Sequence, residues 1–174
     1  VNSTNPESNA CAQLESSQIA VEAFDLLFAS EARSLGQDVS GLQVLALLSG
    51  EFRPEMIKAL KIIKPKMKIG CITNNVKSRD KDAEPTEKST AVSEVMTRLD
   101  VVIKSSKVGI RKPDPEIYKL ACREMGIEPG DALFLDDLGI NLKPARALGM
   151  KTIKVLNAEQ ALDELEGHLK LKLR

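Results

Sequence analysis

The chain has 174 residues, 43% of them hydrophobic, and its 25 lysines and arginines balance 25 aspartates and glutamates. That is enough apolar material for one domain with a real core, and it excludes a disordered chain. Zero net charge with one tyrosine, four phenylalanines and no tryptophan disfavours a nucleic-acid groove, and no apolar run approaches the ~20 residues of a membrane span.

The first nine residues are polar and carry no apolar period. Ala10–Ser16 reads as one short helix. From Val21 onward Phe24, Leu27, Phe28 and Leu35 recur at helical spacing, and Gly36 ends the run. Gly41–Leu48 holds a third apolar cluster. Pro54 opens a helix whose inner face is Ile57, Leu60 and Ile62 or Ile63, and Pro65 closes it. These stripes are core material rather than a cofactor site. The pattern changes at Met67. Lys68–Thr73 reads as a strand. Residues 77–90 carry eight charges in fourteen positions and form a solvated loop long enough to be functional. A helix is expected over Ala91–Leu99, a strand over Asp100–Lys104, and a loop over Ser105–Pro115. A helix over Glu116–Met125 stops at Gly126. Then come a strand ending at Asp136, a helix ending at Gly149, a strand over Lys151–Leu156 and an amphipathic helix over Ala158–Leu171. Strands alternating with helices imply right-handed βαβ units, hence an α/β fold with a parallel sheet of four strands.

The stretch Phe134-Leu135-Asp136-Asp137-Leu138-Gly139 is the most informative. A buried apolar strand ends there on two adjacent carboxylates, which repel each other and lose solvation. A cation between them relieves both costs. The plainer alternative is an acidic turn or helix cap. In a parallel sheet the carboxyl ends share one edge, so Thr73-Asn74 and the Lys112 loop, stiffened by Pro113 and Pro115, come near the acidic pair. Singly, Thr73-Asn74 could be a turn and Lys112 a surface lysine. Together, a hydroxyl and amides that grip phosphate, a neutralising lysine and a carboxylate pair suited to magnesium are the accessory parts of phosphoryl transfer.

From about Met67 on, the chain resembles the haloacid-dehalogenase superfamily of hydrolases. More narrowly, it resembles the phosphatase-like domain at the N-terminus of soluble epoxide hydrolase and of certain acyl-CoA dehydrogenase fusion proteins. Cys71-Ile72-Thr73-Asn74, the run Gly109–Tyr118 and the run Phe134–Arg146 resemble the family's second, third and fourth motifs. The resemblance implies a Rossmann-like fold with a small helical cap over about residues 10–50. The expected division is a cap region at 1–52 and an α/β core at 53–174. It implies that Thr73, Asn74, Asn75 and Lys112 bind the phosphoryl group, that Lys112 is catalytic, and that Asp136 and Asp137 hold Mg2+. The expected partner is a small phosphorylated substrate, with neither nucleic acid nor membrane. Three widely spaced cysteines, Cys11, Cys71 and Cys122, suggest a reducing cytoplasmic setting rather than disulfides or zinc. His168, in a charged segment, is expected to be exposed and not catalytic.

One departure stands against these matches. The family's first motif, an Asp-x-Asp after an N-terminal strand that supplies the nucleophile and the general acid/base, is absent. Asp25 has no acidic partner two residues on, and Asp80-Lys81-Asp82 follows no apolar strand. The nucleophile is therefore unassigned, and the sequence is expected to lack one strand and the start of the cap. The leading reading is a magnesium-dependent phosphatase working through an aspartyl-phosphate. The alternatives are a non-catalytic binding domain or an N-terminally truncated fragment. Dehalogenation fits less well because it needs no metal. A response-regulator receiver carries its acidic pair first in the chain, not last.

Overall fold

Apolar residues three and four apart dominate the first third of the chain, and that period forms helices rather than strands. The computed structural model describes residues 8–47, 53–76 and 87–174, the side chains of 87–91 excepted. In chain order its elements are α1 (Ala10–Glu15), α2 (Val21–Ser34), α3 (Gly41–Leu47), α4 (Pro54–Ile63), β1 (Gly70–Thr73), α5 (Glu87–Thr97) and β2 (Val101–Lys104). They continue with α6 (Ser105–Val108), α7 (Pro115–Met125), β3 (Leu133–Asp136), α8 (Gly139–Ala147), β4 (Lys151–Lys154) and α9 (Ala158–Leu169). Two compact units result. One combines Val1–Glu51, Thr73–Arg79 and Lys104–Arg111; the other combines Phe52–Ile72, Asp80–Ile103 and Lys112–Arg174.

The first unit is helical. Asn9 caps α1 by accepting the Ala12 N–H at 2.8 Å. Phe24, Phe28 and Ala32, four apart on α2, face α1 and form a core with Ala10 and Leu14. The rings of Phe24 and Phe28 lie 5.5 Å apart. Leu27 and Leu35, expected on this inner face, are instead exposed. Leu27 sits about 100° round the helix from Phe28, and Leu35 is the C-cap rather than a helical residue. Gly41 opens α3 because a Cβ there would meet the Phe24 ring at 2.6 Å. The Asp25 carboxylate accepts the Leu42 N–H at 3.0 Å and ties α2 to α3.

The second unit carries the strands. β3 and β4 are parallel, with Leu135 opposite Ile153 and Asp136 opposite Lys154. α4 and α9 cover them, burying Ala59, Ile63, Ile153, Leu162, Leu165 and Leu173 in one cluster. The buried edge of α4 is thus Ala59 and Ile63, one turn apart, and Ile57 is only half-buried. The four expected strands form, but as two pairs, β1 with β2 and β3 with β4, rather than one continuous sheet. Among the described residues no ladder joins β1 to β3. Ile69, just before β1, nevertheless packs on the same cluster as Leu133 and Leu135 of β3.

Two local expectations shift, and Pro144 adds a third local feature. Helix α5 begins at Glu87, so the expected 77–90 loop ends earlier; residues 77–86 lie outside the described residues. Ser105–Val108 is a helical turn closed by Gly109 at φ +74° rather than plain loop. Pro144 falls inside α8, past its first turn, where it removes one helical hydrogen bond. α7 behaves as its sequence indicates: Asp114 accepts the Glu116 N–H at 2.9 Å, Pro115 opens the helix and Gly126 ends it at φ +62°. His168 is exposed. No helix among the described residues is long and apolar enough to cross a membrane.

Leu162 is 1% exposed at the centre of the second unit's core. Leu162→Ala is expected to lower stability by about 2–5 kcal/mol through lost burial and a residual cavity. The exposed His168→Ala should stay within about 0.5 kcal/mol. Urea denaturation checks both, and equal midpoints would show that the α9–sheet interface is not where stability resides.

Candidate functional site

Strand β3 is apolar until its last residue, and that residue is a carboxylate. Asp136 is buried because β4 pairs alongside and α8 starts immediately after it. Its two oxygens are well supplied with donors. Oδ1 accepts the Leu138 N–H at 2.8 Å and the Asn141 Nδ2–H at 3.0 Å. Oδ2 accepts from Lys112 Nζ at 2.7 Å. This ion pair is nearly enclosed, with side-chain exposures of 13% for Lys112 and 5% for Asp136. A buried charge needs such pairing and additional hydrogen bonds, and here it has both.

Lys112 is positioned from two sides. Its loop feeds α7 through Pro113 and Pro115, and the Lys112–Pro113 peptide is cis. Its ammonium also lies 5.8 Å from the centroid of the Phe134 ring, within the range of a cation–π contact. Phe134 in turn meets Tyr118 of α7 edge to face, centroids 5.3 Å apart at 88°. Tyr118 is fully buried and donates its hydroxyl to the Asn141 carbonyl at 2.7 Å. Burial, with the Asp136 charge second, pushes the Tyr118 phenol well above its ordinary range, so it remains a neutral donor. Lys112, Asp136, Asn141, Tyr118 and Phe134 thus close a ring of contacts drawn from the loop before α7, α7 itself, β3 and α8.

Tyr118 and Asn141 are the residues that sequence reasoning did not single out. Both lie inside the quoted motifs, Tyr118 six residues after Lys112 and Asn141 five after Asp136. A polar residue in the first turn after an acidic strand end is the signal that could have pointed to Asn141.

Asp137 is exposed and forms no ion pair among the described residues. The two adjacent carboxylates therefore differ: Asp136 is held in place and Asp137 is available. Magnesium is bound through one or two carboxylates, with substrate phosphate and water filling the other positions. The free carboxylate of Asp137 and the remaining lone pair on Asp136 Oδ2 fit that donor set. No group of three or more His, Cys, Asp or Glu side chains that could hold a metal occurs among the described residues.

Thr73, Asn74 and Asn75 belong to the first unit. Thr73 ends β1. Asn74 Nδ2 donates to Glu15 Oε2 at 3.1 Å, and the same oxygen accepts from Arg111 Nε at 2.7 Å. Asn75 is built into α6. Its N–H donates to Ser105 Oγ at 3.0 Å, and its Oδ1 accepts from the Ser106 N–H at 3.4 Å and the Ser106 hydroxyl at 3.2 Å. Of the two aspartates weighed as nucleophiles, Asp25 links α2 to α3 as described, and the Asp80–Asp82 pair lies outside the described residues.

Comparison with known proteins is consistent across sequence and fold. The haloacid dehalogenase-like hydrolase family model matches residues 13–149. Over 122 residues the chain is 40% identical to bifunctional epoxide hydrolase 2 of Sus scrofa, covering 70% of this chain and 22% of that protein. Over 72 residues it is 50% identical to acyl-CoA dehydrogenase family member 10 of Mus musculus, covering 41% of this chain and 7% of that protein. The chain thus spans less than a quarter of the length of either relative. Among solved structures, a HAD-like family hydrolase from Porphyromonas gingivalis superposes with a TM-score of 0.70 at 22% identity, covering 97% of this chain and 82% of that one. A HAD family enzyme from Bacteroides thetaiotaomicron, in complex with magnesium and inorganic phosphate, gives a TM-score of 0.60 at 23% identity, covering 85% and 75%. At these identities the two structures establish the shared α/β fold.

The unequal carboxylates have a measurable consequence. Asp136→Ala removes the buried carboxylate that pairs with Lys112 and accepts from Leu138 and Asn141, and is expected to cost about 3–5 kcal/mol. Asp137→Ala should change stability by less than about 0.5 kcal/mol. Thermal melts of the two variants check this, and a similar loss in both would make the pair structural throughout.

Proposed function

The chain belongs to the haloacid dehalogenase-like hydrolases, and we propose that within that family it is the core of a magnesium-dependent phosphatase acting on a small phosphorylated substrate. The observation that carries this reading is the acidic strand end, with Asp136 clamped by Lys112 and Asn141 and Asp137 left exposed beside it. Asp136 and Asp137 would hold Mg2+, which when bound supplies positive charge to a phosphoryl oxygen. Lys112 would bind and neutralise the same group, because a buried ammonium in a site with little water stabilises developing negative charge strongly. Phosphoryl binding by Thr73, Asn74 and Asn75 rests on the family resemblance. The substrate-selecting cap would be the region 1–52, and the setting the reducing cytoplasm.

The reading requires an aspartate nucleophile. Its attack on phosphorus expels the substrate alcohol and forms an aspartyl-phosphate; water then cleaves that acyl phosphate and releases inorganic phosphate. Neither Asp25 nor the Asp80–Asp82 pair is assigned this role. Support for a completing strand comes from the sheet: β3 has β4 as its partner, and β1 has β2. A strand ending in Asp-x-Asp between β1 and β3 would join the pairs and bring a carboxylate beside Asp136.

The test compares the 174-residue chain with a version extended at its N-terminus by such a strand, each assayed for phosphate release from an aryl phosphate. The extended version is expected to be active only with magnesium, and Asp137→Asn in it should raise the magnesium concentration required. Binding of phosphate without turnover in the extended version would favour a non-catalytic binding domain. Equal turnover by the 174-residue chain alone would show that the nucleophile lies within it.

Lys112→Met keeps the side chain's packing on Phe134 and removes its charge. In the active version it should cut turnover by roughly 10²-fold or more, as loss of a transition-state charge contact does. Activity within about twofold of the parent, measured on variants with matched melting curves, would limit Lys112 to anchoring Asp136.

A further inference from the structure

We propose that the cavity just before β1 and β2 is a binding site for a short-chain organic anion, a carboxylate on an alkyl tail of a few carbons. The cavity measures about 120 Å³ and is lined by Leu60, Ile69 and Leu99 together with Lys61, Lys64 and Arg98. The three apolar residues are half-buried, whereas Lys61 and Arg98 are exposed. The apolar residues are therefore the more enclosed part of the lining and the cationic residues the more exposed part. This is the arrangement of a small-ligand site, mostly apolar with a few polar groups that orient the ligand.

One wall is held in place. Lys64 Nζ donates to Asp100 Oδ1 at 2.6 Å, and Asp100 Oδ2 accepts the Ile69 N–H at 2.7 Å. The Asp100 N–H donates back to the Ile69 carbonyl at 2.8 Å. These bonds, the Lys64 contact first, hold the Asp100 carboxyl below its ordinary range, so it stays ionised. It neutralises Lys64 and leaves Lys61 and Arg98, which form no ion pair among the described residues. The lining residues therefore carry a surplus of two positive charges.

Helix-end electrostatics explain part of this. Lys61 and Lys64 complement the negative end of α4, and Arg98 that of α5. That accounts for each cation on its own helix. It does not account for an apolar cavity between them, which an anion with a hydrocarbon tail would fill on both counts. Size limits the tail: an engineered apolar cavity of about 150 Å³ accepts benzene, so this smaller one takes a short alkyl chain. The cavity precedes its strands, whereas Asp136 closes the carboxyl end of β3. The proposal is thus independent of the phosphatase reading.

The test is a ¹H–¹⁵N NMR titration of the 174-residue chain with hexanoate, acetate and hexan-1-ol. Hexanoate is expected to shift the Ile69, Arg98 and Leu99 amides saturably. Acetate and hexanol, each lacking one half of the chemistry, should bind several-fold more weakly. Lys61→Gln with Arg98→Gln removes two exposed charges and should weaken hexanoate about five- to tenfold. Leu60→Phe, which fills the cavity and keeps the charges, should abolish the shifts. Hexanol binding as tight as hexanoate, acetate binding as tight as hexanoate, shifts scattered over the lysine-rich surface, or no effect of either variant would overturn the proposal.

Discussion

The buried ion pair between Lys112 and Asp136 is the constraint on which the rest of the second unit's polar architecture depends. Taking a carboxylate out of water at a strand end costs several kcal/mol unless its oxygens are satisfied. Here one oxygen meets an ammonium and the other meets two N–H donors. Each donor comes from a different local structure: the Pro-flanked loop before α7, the turn after β3, and the first turn of α8. The strand end therefore sets where α7 and α8 can sit. Tyr118 enforces the same arrangement from the apolar side, with its ring on Phe134 and its hydroxyl on the Asn141 carbonyl.

This anchoring gives two chemically identical neighbours different work. Alternation along the strand sends Asp136 into the protein, and the turn leaves Asp137 in solvent. A symmetric pair of exposed carboxylates would repel and reorient. With one of them neutralised and fixed by Lys112, the other is free to meet a cation.

The divided sheet is the second organising fact. Ile69, just before β1, packs on the same hydrophobic cluster under α4 and α9 as Leu133 and Leu135 of β3. Among the described residues no hydrogen-bond ladder joins the two pairs. Backbone groups along a strand edge favour pairing, and an added strand is the ordinary way to satisfy them.

Sequence alone determined the order and type of nearly every element, because hydrophobic period, prolines and glycines act locally. Pro54, Pro115, Gly36 and Gly126 bound their helices for reasons contained within a few residues. It also picked out the three motifs, since residue type and spacing are one-dimensional. It could not tell Asp136 from Asp137, assign a role to Tyr118 or Asn141, or show that the strands form two pairs. Those features depend on which side chains meet across elements distant in sequence, such as Lys112 and Asp136, 24 residues apart. The desolvation cost that makes Asp136 need Lys112 and Asn141 exists only once β4, α7 and α8 have packed and excluded water, and so only tertiary structure could decide it.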